Sequence, residues 1–103
     1  MDAQLRKRLI HTAIHYPCIN IDGYGDKTFG LPVDRSCYKE GKISVVRSVS
    51  GDEVISSLRL YFDGIFPISG HDKMALNGVD YPVLAFSQFD GLYPGTGTTV
   101  VYL

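Results

Sequence analysis

The residues able to do chemistry are few and fall in three places along the chain. His11 and His15 stand four apart, with Cys18 three further on. On a helix the two imidazoles would share a face, as a zinc site requires, but such a site needs at least one more ligand. No dense pair of Cys, His or carboxylate residues completes the set, and Cys37 and His71 would have to arrive from far along the chain. The segment moreover reads as a strand. No metal is therefore assigned, and the histidines are expected to be structural, on the less apolar face. Ser69-Gly70-His71-Asp72 places a hydroxyl, an imidazole and a carboxylate side by side. A nucleophilic triad needs convergence in space, with the base bonded to both partners, and neighbours on a strand point to opposite faces. A loop capped by Asp72 is the expectation. The glycines from Gly91 to Gly97 lack the lysine and the following helix that a phosphate loop uses. They read as a hairpin tip. With no activated nucleophile, no acid–base pair and no cofactor cradle, neither enzymatic activity nor a cofactor is expected.

The elements that carry these residues follow from composition and alternation. The chain has 103 residues, 45% of them hydrophobic, and a net charge of −1. That is the size of one domain, 1–103. The balance of charge speaks against a basic nucleic-acid binder, and the only tight basic run is Arg6-Lys7-Arg8. No apolar run approaches the ~20 residues that span a bilayer, and Met1-Asp2-Ala3-Gln4 does not open a secretory signal. A soluble protein made in the cytosol, with Cys18 and Cys37 reduced, is expected.

Asp2 to about Ile10 has an N-cap residue and a Leu5/Leu9 pair, so a short N-terminal helix is expected there. From there to Ile21 the chain turns β-branched and aromatic. Ile10, Thr12, Ile14 and Tyr16 share one parity and predict a half-buried strand, interrupted at Pro17. Asp22 to Pro32, with three glycines and a proline, reads as a long irregular loop. Ile43, Val45 and Val49 then alternate with serines. Ser50-Gly51-Asp52-Glu53 turns the chain, and Val54, Leu58, Leu60 and Phe62 resume on one face, as a hairpin requires. Asn77-Gly78 joins Lys73–Leu76 to Val79–Phe89, since both turn positions tolerate positive φ. Thr98–Leu103 is the last strand. The sum is a mainly β fold: a small antiparallel barrel or sandwich of six to seven short strands. Tyrosine is common, at seven, and Tyr16, Tyr24 and Tyr93 beside loops suggest interface positions.

The order of these short motifs resembles the head–tail connector proteins of tailed bacteriophages, the minor capsid or head-completion (stopper) family. Leu9-Ile10-His11-Thr12-Ala13-Ile14-His15-Tyr16 is similar to that family's opening strand, and Asp22-Gly23-Tyr24-Gly25 to its glycine-rich loop. Val49 to Ser57 resembles the central hairpin, with a Gly-x-Glu turn. Asp72-Lys73, then Gly78-Val79-Asp80-Tyr81-Pro82-Val83-Leu84 and a terminal Val101-Tyr102-Leu103, resemble the closing part. The resemblance runs from about Leu9 to Leu103.

It implies a structural virion protein at the phage neck, assembled in the bacterial host cytoplasm without a membrane. Copies of the chain would form a homo-oligomeric ring between portal or adaptor above and tail proteins below. The ring would close the portal channel after packaging, and DNA would pass without sequence-specific binding. The short Ser50–Glu53 turn makes a poor plug, so the 22–32 loop is the expected lumen or inter-ring contact, ordered mainly in the ring. The candidate inter-subunit or channel residues are thus Asp22, Gly23, Tyr24, Gly25, Asp26, Lys27, Phe29, Gly51, Asp52, Glu53 and Tyr93. Acidic turns at Asp22, Asp26, Asp52, Glu53 and Asp90 suit a conduit wall that does not hold phosphates. The alternative reading is a small OB- or SH3-like module for single-stranded nucleic acid or a peptide. That module needs aromatics and basic residues gathered on one strand face, and in sequence the aromatics are scattered.

Overall fold

The computed structural model describes residues 11–48, 50–89 and 97–103. The expected N-terminal helix, Val49, Asp90, Tyr93 and most of the Gly91–Gly97 tip lie outside them. Nine strands are present among the described residues: β1 (His11–Tyr16), β2 (Cys18–Ile21), β3 (Lys27–Phe29), β4 (Val33–Arg47), β5 (Glu53–Asp63), β6 (Lys73–Leu76), β7 (Val79–Pro82), β8 (Ala85–Phe89) and β9 (Thr98–Tyr102). Seven form one antiparallel sheet in the order β7-β6-β1-β4-β5-β9-β8, and β2 and β3 make a separate hairpin.

The sheet curls around its own core. Met74 and Leu76 from β6 pack in one cluster with Leu60, Phe62 and Val101, although β6 and β9 stand far apart in the strand order. The curl comes from segment 79–89. Its first half pairs with β6 and its second half with β9, so one run of chain serves both margins of the sheet. At the crossing Val83 N donates to Asp72 O and Leu84 N to Tyr102 O. β7 and β8 are not hydrogen-bonded to each other, so the sheet is sandwich-like rather than a closed barrel. Val79–Phe89, expected as one strand, is divided here because it must bend from one partner to the other.

Asn77 (φ 50) and Gly78 (φ 81) form the tight β6–β7 turn that their sequence predicts. Pro17 separates β1 from β2, again as expected. Two expectations are corrected. In β1 the face toward the core carries Ala13 and His15, whereas Thr12 is exposed and Ile14 and Tyr16 are only half-buried. Segment 22–32 is not a long irregular loop: β3 takes Lys27–Phe29, leaving a short turn before it. The longest described stretch without a strand is instead 64–72, between β5 and β6.

Candidate functional site

His15 is buried on β1 and makes the central polar contact of the interior. Arg35 Nε on β4 donates to its Nδ1 at 3.2 Å, so the ring proton sits on Nε2, which donates to Asp72 Oδ2 at 2.8 Å. Asp72 is also buried, and its carboxylate accepts from Cys18 N (2.8 Å) and Ser69 N (3.0 Å). One carboxylate thus ties β1, the start of β2 and the 64–72 loop together, a set of charge-assisted bonds in a setting where they are strongest. Both ring nitrogens of His15 are engaged, so the group positions its neighbours and has no lone pair to offer as a base. Asp72 caps its loop, as expected from sequence. The imidazole it meets is His15, not the adjacent His71, whose backbone N–H donates to Ser69 Oγ. The expectation that the histidines avoid the apolar face is overturned at His15, because Asp72 and Arg35 supply the partners that burial demands.

On its solvent side this cluster ends in a groove of about 280 Å³ lined by Asp34, Arg35, Ser36, Phe62, Asp63 and Phe66. The Arg35 guanidinium stacks on Phe66, 3.7 Å from the ring centroid. Partial burial lowers its pKa from the ordinary arginine value. With Nε committed to His15, its two Nη groups have no hydrogen-bond partner among the described residues.

The residues expected at subunit contacts fall on two hairpins. Asp22, Gly23, Tyr24, Gly25 and Asp26 form the β2–β3 turn, with Lys27 and Phe29 on β3. Asp22 Oδ1 accepts from Tyr24 N (2.8 Å) and Asp26 N (3.0 Å), while Asp22 N donates to Asp26 O (2.9 Å). The turn is therefore closed by its own carboxylate within a single chain. Tyr24 stands at its apex, 95% exposed. Gly30 N donates to Pro17 O, and Lys73 Nζ lies 4.8 Å from the centroids of both Phe29 and Tyr16, which fastens the hairpin to β6.

Gly51, Asp52 and Glu53 lie at the tip of the β4–β5 ribbon. Arg47 stands opposite Glu53, Arg47 Nη1 donates to Gly51 O at 2.6 Å, and Gly51 adopts φ 91. The turn is short, as expected, and the strands that lead to it are long. Among the described residues β1 pairs with β4 only up to Cys37, and β9 with β5 only from Arg59 onward. Beyond Gly41 and Leu58 the ribbon continues as a two-stranded arm, re-aimed by a bulge between Gly41 and Ser44. Its outward positions are Ile43 (79% exposed), Val45 (67%) and Ile55 (70%), with Val45 directly opposite Ile55.

A third feature gathers residues that are scattered in sequence. Tyr38 is opposite Tyr61, with ring centroids 5.8 Å apart, and Arg59 is opposite both Glu40 and Tyr102. Arg59 donates to Tyr61 Oη (3.3 Å) and Ser44 Oγ (3.0 Å), with its Cζ 5.0 Å from the Tyr102 centroid. The Tyr61 hydroxyl is the main influence raising the Arg59 pKa above its usual value. Of these features, alternation could have exposed the arm: continuing the Leu58, Leu60, Phe62 parity places Ile55 outward. The Arg35 groove and the His15–Asp72 bond join residues too distant in sequence for any spacing rule. Compared with known proteins, the chain matches no family model and no curated protein.

Proposed function

We propose that the chain is a structural subunit of the phage head–tail connector, forming with its copies a stopper ring that closes the portal channel and joins head to tail. The observation that carries this reading is the β4–β5 arm, whose outward face turns aliphatic side chains to solvent. Contiguous exposed apolar surface of this kind marks a protein contact. The motif order from about Leu9 to Leu103 supports the family, and the acidic turns at Asp22, Asp26, Asp52 and Glu53 suit a wall that lets DNA slide. Portal or adaptor proteins above and tail proteins below are the further partners.

Cryo-electron microscopy of the neck of the phage carrying this gene tests the reading. Ring density fitted by the curled sheet is the expected result. Absence of the chain from purified virions overturns it.

A second reading has one observation in its favour. Tyr38, Tyr61 and Tyr102 surround Arg59 on neighbouring strands, an arrangement of rings and guanidinium on which bases can stack. On this reading the chain is a binding module for single-stranded nucleic acid. Fluorescence anisotropy with an oligothymidylate decides: binding that Tyr61→Ala weakens tenfold or more favours the module, since each stacked base contributes about 1–3 kcal/mol.

A further inference from the structure

We infer that copies of this chain join head to tail, with the β4–β5 tip of one copy seated in the Arg35 groove of the next and Glu53 pairing with Arg35. The inference rests on the ring reading and names the contact that would build it.

Position is the first argument. The groove is lined by the first residues of β4 and the last of β5, and the tip joins the last of β4 to the first of β5. Groove and tip thus lie at opposite ends of one ribbon, in a molecule whose longest extent is 44 Å. A contact between two different patches is heterologous, and it propagates until the rotation per copy closes a ring. The bulge at Gly41–Ser44 turns the tip relative to the groove, which supplies such a rotation.

Charge is the second argument. Arg35 is held by His15 and by the Phe66 ring, yet its outer Nη edge is unpartnered. That end-on pair of donors fits one carboxylate. Asp34 flanks it, so a free phosphate or a lone carboxylate ion would be repelled. The fitting ligand carries an anion with a cation beside it. The tip displays that pattern: Glu53, exposed and without a partner among the described residues, directly opposite Arg47. Seated with Glu53 on Arg35, the tip brings Arg47 toward Asp34 at the groove's rim, and Ile43, Val45 and Ile55 add apolar area behind the charges.

The test is charge reversal in the full-length chain, with association followed by light scattering. Arg35→Glu and Glu53→Arg singly should each weaken association by about tenfold or more, and the two together should restore most of it, as close charge pairs across interfaces do. Arg35→Glu also breaks the bond to His15, so its folding is checked by thermal unfolding. The exchange of Arg47→Glu with Glu53→Arg, which keeps the tip's net charge, serves if Arg35→Glu does not fold, and it too should weaken association. Should the native chain stay monomeric, chains carrying both Arg35→Cys and Glu53→Cys in a Cys18→Ser background are concentrated and oxidised. A disulfide needs Cα atoms within about 7 Å, so residues at opposite ends of the ribbon can bridge only between copies, and a ladder of multimers is expected. Where the native chain associates, single reversals without effect or no rescue by the double variant overturns the contact; where it stays monomeric, the lack of a ladder does. A neck ring in which Arg35 and Glu53 lie apart sinks this contact alone, whereas a neck without the chain sinks the ring reading.

Discussion

Asp72 is the residue on which most of the interior polar structure depends. Its carboxylate receives a proton donor from His15, from Cys18 N and from Ser69 N, and all three would be left unsatisfied by Asp72→Ala. Removing one partner of a buried charged set costs about 3–5 kcal/mol, and urea unfolding should show a loss of that size. His71→Ala, one residue away, should leave stability nearly unchanged, because that side chain takes no part in the set. Sequence alone suggested the cap but not the histidine it meets, since 57 residues separate His15 from Asp72. Cys37 gives a second expectation. Burial pushes its thiol from 9.0 up to about 11, while Cys18 is only half-buried. The thiolate is the reactive form, so a thiol reagent at pH 8 should modify Cys18 in the folded chain and reach Cys37 only on unfolding. In the unfolded chain Cys37 ionises near 9.0, earlier than in the folded one. Its contribution to stability is therefore complete below that pH and is lost as pH rises toward about 11. Cys37→Ala should flatten the alkaline fall of unfolding free energy relative to the native chain.

Between residues and fold stand the hairpins, and here the sequence was legible where alternation or turn chemistry is local. Asn77-Gly78 announces the β6–β7 turn because two consecutive positive φ angles suit few other dipeptides. Leu58, Leu60 and Phe62 alternate inward on β5 as read. Alternation failed at β1, where His15 outcompetes Ile14 and Tyr16 for the interior because its polar atoms find partners there. Composition failed at 22–32, where glycines suggested irregularity but Asp22 closes a four-bond turn around them. An Asp side chain that accepts from N–H groups two and four residues on replaces backbone pairing that glycine would otherwise leave loose. Hydrogen exchange tests this order directly. The amides of Tyr24 and Asp26 should be protected in the isolated chain, and Asp22→Ala should raise their exchange by at least about tenfold, the signature of a local opening. Unprotected amides in the native chain would return the segment to the description its glycines suggested.

At the scale of the molecule, the chain divides its apolar residues between two tasks. Leu60, Phe62, Met74 and Val101 fill the curled sheet, while Ile43, Val45 and Ile55 remain on the arm, where no described part of the chain covers them. Unpaired strand edges beside aliphatic side chains invite association, and proteins that must stay single blunt such edges. This arm keeps its aliphatic face and carries charge at Lys42 near its base and at Arg47, Asp52 and Glu53 toward the tip. Folding alone gives no reason for that arrangement, since the three side chains contribute little to the core. Replacing them together, as Ile43→Ser, Val45→Thr and Ile55→Ser, should leave the unfolding free energy within about 0.5 kcal/mol per site, as surface substitutions do. Association of copies, read by light scattering, should be lost in the same variant. A fall in stability instead would mean the arm packs on its own chain, and association undiminished would move the contact elsewhere on the surface. The two readouts separate what the arm does for the fold from what it does between copies, because only the second depends on a face that no described part of the chain covers.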